Sequence, residues 1–144
     1  MKGNAAKPGS RENVDVERTG YTRVYATLSG AFLVLLGLFG LLENAEFEIP
    51  ELGSDLFGIY AVNGWANLFH VAIGLLALIM ARRLSRVYAL IATLVFLGLA
   101  IWGISAPDGD LLFSKLPAER PVNLLNLLLG LAALACLVAG LWDR

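Results

Sequence analysis

Few side chains in the apolar runs of this sequence could do chemistry, and they fall in two short patterns. Asn63, Asn67, His70 and Gly74 lie within an arc of about 60° when laid out at 100° per residue. Asn123, Asn126 and Gly130 fall within a similar arc further along the chain. An amide facing lipid has nothing to satisfy its donors and acceptors, so both stripes must face protein or trapped water. The simplest arrangement has the second and fourth helices meeting each other. Gly74 and Gly130 would then allow close approach, with Asn67 and His70 opposite Asn123 and Asn126. Amides in that position hold helices together, at about 0.6 kcal/mol each on average and up to roughly 2. The same five residues would alternatively line a small polar pocket for a ligand or a transported solute.

His70 is the only histidine and the only readily titratable group deep in an apolar run. It lies ten residues beyond Tyr60, or about 15 Å at 1.5 Å per residue, near the middle of its helix. An ionisable group at that depth is a functional candidate: a proton relay, a haem or chlorophyll-type ligand, or a ligand contact. Each role needs a partner that the sequence does not offer. The runs contain no acidic residue, and Met80 is ten residues further on. A neutral, hydrogen-bonded histidine is therefore the expected state. Cys136 is the only cysteine, which rules out an internal disulfide and a cysteine metal site. No phosphate loop, zinc spacing, nucleophile elbow or nucleic-acid patch is present. The sequence reads as a non-enzymatic protein with no cofactor, no metal and no nucleic-acid partner.

The elements that must position these residues are four runs of the length a bilayer needs: Val24–Leu42, Ile59–Ala81, Val87–Ala106 and Val122–Leu141. None contains Asp, Glu, Lys or Arg, in a chain of 144 residues that is 58% hydrophobic. The pattern predicts an all-α transmembrane four-helix bundle spanning residues 23–144, behind a flexible tail over residues 1–22. Nine basic residues, from Lys2 to Arg23, at Arg82, Arg83 and Arg86, and at Arg144, fall on one side of the four spans, and only Lys115 and Arg120 fall on the other. That bias places both termini in the cytoplasm. Arg23 with Tyr25, and Arg86 with Tyr88, read as anchors at the cytoplasmic headgroups.

The runs are also related to one another. Arg23-Val24-Tyr25-Ala26 returns as Arg86-Val87-Tyr88-Ala89, and Asn67-x-x-His70-x-x-x-Gly74-Leu75 as Asn123-x-x-Asn126-x-x-x-Gly130-Leu131. The heads recur after 63 residues and the tails after 56. Two spans separate the copies, so the repeats must be parallel, about an axis along the membrane normal. Ser29, Gly30, Gly37 and Gly40 give the first span a broad small-residue face for packing.

The run Val62-Asn63-x-x-x-Asn67-x-x-His70-x-x-x-Gly74, with Leu56-Phe57-Gly58 before it and the Arg-x-Tyr-Ala head of the third span, resembles a bacterial four-span integral membrane family, the domain of unknown function 4383. The resemblance covers most of residues 23–142 and implies the bundle and a place in the bacterial inner membrane. In that family the second repeat often carries a histidine where this chain has Asn126, which weakens any mechanism needing two histidines. It implies no activity. The combined expectation is a small accessory or scaffold protein in the bilayer, packed against a larger membrane complex or itself. A small-solute transporter or ligand-binding protein is the alternative, and a haem or chlorophyll-type protein using His70 a further one.

Overall fold

The computed structural model describes residues 20–47, 55–56, 60–61, 63–106, 111–112 and 115–142. Four helices carry the fold: α1 (Gly20–Glu43), α2 (Gly64–Met80), α3 (Ser85–Ser105) and α4 (Arg120–Trp142). Short antiparallel ladders lie in the long connections. β1 (Asp55–Leu56) pairs with β2 (Tyr60–Ala61), and β3 (Leu111–Leu112) with β4 (Leu116–Pro117). The structure is thus an all-α bundle. Helices α1, α3 and α4 are long and apolar enough to cross a membrane, whereas α2 is a shorter apolar helix of 17 residues.

Two boundaries differ from the sequence expectation. Helix α1 starts at Gly20, so residues 20–22 form its first turn; residues 1–19, the rest of the expected tail, lie outside the description. Helix α2 starts at Gly64, not near Ile59. Tyr60 and Ala61 are instead held in the ladder with β1, and Asn63 stops the helix from extending backwards. Its backbone is extended (φ −144°, ψ 169°) and its side-chain oxygen accepts from the Ala66 N–H. That is a helix N-cap, satisfying one of the donors left open at a helix start.

Each helix packs mainly on its neighbour in sequence, α1 on α2 and α3 on α4. Close contacts pair Gly30 with Gly74 and Gly37 with Asn67, so α1 and α2 run antiparallel. Contacts between Thr22 and Ser85 and between Tyr25 and Tyr88 set α1 and α3 parallel. The core is rich in small residues: Ala26, Ala77, Ala89, Ala92 and Ala133 surround Leu33, Phe96 and the two tyrosines. Large apolar side chains point outward instead, with Leu28, Phe32, Leu35, Phe39, Leu94 and Ile101 all exposed. This distribution fits helices whose outer surface is as apolar as lipid and whose association depends on close approach.

The two hairpins make equivalent contacts at the sequence offsets. Asn67 lies against Gly40 in the first and Asn123 against Gly103 in the second. Gly74 faces Val34 as Gly130 faces Leu97. The ladder pair Asp55–Ala61 has its counterpart in Leu111–Pro117.

Candidate functional site

The polar stripe of α2 begins at the cap. Besides accepting from Ala66, Asn63 donates through Nδ2 to the Lys115 carbonyl at 2.7 Å and so ties the start of α2 to the second connection. One turn on, Asn67 is fully buried and donates to the Asn44 carbonyl just past the end of α1, at 2.9 Å. On α4, Asn123 donates to the Ala118 carbonyl at 3.0 Å. Three of the five stripe residues therefore spend their N–H groups on main-chain carbonyls near helix ends. Such carbonyls have no partner within the helix or ladder and need one when buried.

The expected meeting of α2 and α4 does not occur. These two helices scarcely touch among the described residues. The reason lies in the glycines. A side chain at Gly74 would meet the Val34 backbone nitrogen at 2.7 Å and the Gly30 carbonyl at 2.8 Å, both on α1. A side chain at Gly130 would meet Leu97 on α3 at 2.7 Å. Each glycine serves the contact inside its own hairpin, and each of Asn67 and Asn123 follows onto a glycine of the same partner helix. Gly30 and Gly37 complete the α1 side of that seam. Added carbons there would meet Ala77 at 2.8 Å and the Val71 nitrogen at 2.9 Å.

His70 and Asn126 are left facing inward between the hairpins, 4% and 6% exposed. With Asn123 they supply the polar wall of a small cavity closed by Phe69, Leu99 and Val122. Its volume is about 20 Å³, room for roughly one water molecule. Asn67 is not part of it. The space beside His70 is far smaller than a haem or chlorophyll macrocycle. Among the described residues, no three His, Cys, Asp or Glu side chains come together as a metal site.

The anchor reading of the tyrosines also changes. Arg23 and Arg86 are exposed, as a snorkelling arginine requires. Tyr25 and Tyr88, in contrast, are buried in the core, 7% and 0% exposed, with ring centroids 6.0 Å apart. Matching positions on two parallel helices meet where the helices meet, so the repeated head motif places both rings inside rather than at the headgroups. A second polar cluster results, which the sequence reading missed. Thr22 and Ser85 hydroxyls lie 3.0 Å apart, and Tyr25 donates to the Leu129 carbonyl at 2.9 Å. The signal was available: Thr22 and Ser85, like Tyr25 and Tyr88, are separated by the 63 residues of the head repeat.

At the other end of the bundle, Trp65 donates from Nε1 to the Phe47 carbonyl at 2.9 Å and packs edge-on against the Phe47 ring. The Lys115 ammonium sits 3.9 Å from the Trp65 ring centroid. This cation–π contact and the Asn63 bond tie the two connections together.

Residues 23–139 match the family described as a domain of unknown function, DUF4383. No curated protein and no solved structure matches the chain.

Proposed function

The chain belongs to the DUF4383 family, and with no activity attached to that membership, we propose from its own geometry that it is a non-enzymatic accessory or scaffold protein of the bacterial inner membrane. It acts by packing against a larger membrane protein or a second copy of itself. One observation carries this reading: three of the four stripe amides, Asn63, Asn67 and Asn123, donate to main-chain carbonyls, and the cavity beside His70 and Asn126 admits about one water. Among the described residues a broad apolar outer face remains, with Leu28, Phe32, Leu35 and Phe39 along α1. The equivalent contacts of the two hairpins support descent from a duplicated two-helix unit. The bias of basic residues supports cytoplasmic termini.

The test is the composition of the protein extracted from native membranes in mild detergent, with chemical cross-linking before extraction. A stoichiometric complex with another membrane protein, or a homo-oligomer, is expected, and it should persist in His70→Asn. A monomer whose physiological role is lost in His70→Asn, with unchanged thermal stability, would overturn the reading.

A second reading rests on the convergence of His70, Asn123 and Asn126 on one cavity. A small neutral solute or a water wire would use that space. Asn126→Leu would then abolish activity without loosening assembly.

A further inference from the structure

We propose that the cavity beside Asn126 holds one resident water molecule, and that the segment Lys115–Ala118 is a strap that admits it from the loop side. Asn126 is 6% exposed, and among the described residues its amide makes no hydrogen bond. It lines the cavity of about 20 Å³, which has the size of a single water. A buried amide without a partner is costly, and internal water is the usual remedy. Such a water takes roughly two to four polar partners, and the wall offers them. Asn126 brings an acceptor and two donors. Asn123 spends its Nδ2 on the Ala118 carbonyl and keeps its side-chain oxygen. His70 stands on the same wall. Among the described residues no Asp, Glu, Lys or Arg lines the space. An ion would therefore lose its hydration there without gaining a countercharge. This is the cavity to which the second functional reading assigns a small solute or a water wire; a resident water would be detected there whether or not Asn126→Leu alters activity.

Two stripe amides hold the roof in place. Leu116, Pro117 and Ala118 line the cavity from the connection before α4, and an asparagine grips each end of the strap. Asn63, at the start of α2, donates to the Lys115 carbonyl, and Asn123 on α4 donates to the Ala118 carbonyl. The Lys115 ammonium adds a second catch over Trp65 of the first hairpin. The Ala118 bond lies within the second hairpin and serves as the hinge. Both Lys115 contacts cross between the hairpins, and they must part for the strap to lift. Leu116 and Pro117 pair with β3, so that strand lifts with the strap.

NMR spectroscopy of the nitrogen-15-labelled full chain in detergent micelles tests both parts. The Asn126 side-chain amide, assigned by its loss in Asn126→Leu, should show a cross-peak to a long-lived water. Asn63→Ser keeps a capping oxygen for the Ala66 N–H but is too short to reach Lys115. In that variant the Asn126 amide hydrogens should exchange with deuterated solvent about fivefold faster, the weight of one neutral hydrogen bond. Lys115→Met, at an exposed position, should speed the same exchange about threefold through loss of the cation–π contact. The Asn67 amide, bonded to the Asn44 carbonyl within the first hairpin, should keep its rate in both variants. Absence of a water cross-peak at Asn126 in the wild type would overturn the water site. An unchanged Asn126 rate in either variant would overturn the strap, as would an equal acceleration at Asn67, which marks general loosening.

Discussion

Tyr25 and Tyr88 hold the same place in the repeated head motif, yet their hydroxyls fare differently. Tyr25 donates to the Leu129 carbonyl of α4. The matching acceptor for Tyr88 is the Ile73 carbonyl of α2, and that bond is not made; among the described residues the Tyr88 hydroxyl has no hydrogen-bond acceptor, although Ser29 is nearby. Tyr25→Phe should therefore cost about 0.5–1.5 kcal/mol, the net worth of one such bond. Tyr88→Phe should be neutral or stabilising, since it removes a buried hydroxyl with nothing to lose. Unfolding midpoints of the two variants in the same detergent give the comparison, and equal losses would contradict it. The stripe amides show how far residues could be read from sequence. Their types and helical spacing announced that they must be buried and bonded. Their partners, the carbonyls of Asn44, Lys115 and Ala118, carry no side-chain signal at all, so the sequence could not distinguish bonds to backbone from bonds across the bundle.

At the scale of elements, the hairpin seam depends on backbone-to-backbone approach. Gly74→Ala would push a carbon into the Val34 nitrogen and the Gly30 carbonyl, neither of which can swing aside. It should destabilise by about 1–3 kcal/mol, the usual cost of overpacking. Gly98→Ala is the control: it is a helical glycine with open space around the position of the added carbon. That change should be neutral or stabilising by up to about 1 kcal/mol through helix propensity. Thermal aggregation of both variants in detergent would show the contrast. Helix existence and type were legible because long apolar runs free of charge have one structural outcome in a bilayer. The start of α2 was not. Ile59 to Val62 is as apolar as the helix that follows, and a short apolar run reads equally as strand or helix. The ladder and the Asn63 cap decide it, and both lie outside the run itself: Asp55–Leu56 pairs with it from before, and Asn63 accepts from Ala66 just after it.

For the whole molecule, the charge bias predicts which side each end occupies. Fusion of a reporter active only outside the cytoplasm should stay silent at Met1 and at Arg144 and become active when inserted between Pro107 and Asp110. Activity at either terminus would reverse or break the proposed orientation. The number of helices and their grouping in pairs followed from the repeat. The arrangement of the pairs did not, because glycine and amide on one stripe are equally suited to either neighbour. The contacts of Gly74 and Gly130 resolve the choice in favour of the hairpin partner, and α2 and α4 are left on opposite sides of the cavity.

The short turn from Ala81 to Leu84 joins two units that each close on themselves. Asn67 is settled against Gly40, and Gly74 against Val34, by residues that all precede this turn. During synthesis the first pair can therefore assemble beside the insertion machinery while the second half of the chain is still in the ribosome. It would then wait in the bilayer as a preformed template, with Thr22 and Tyr25 presented along one edge for Ser85 and Tyr88 to dock on as they emerge.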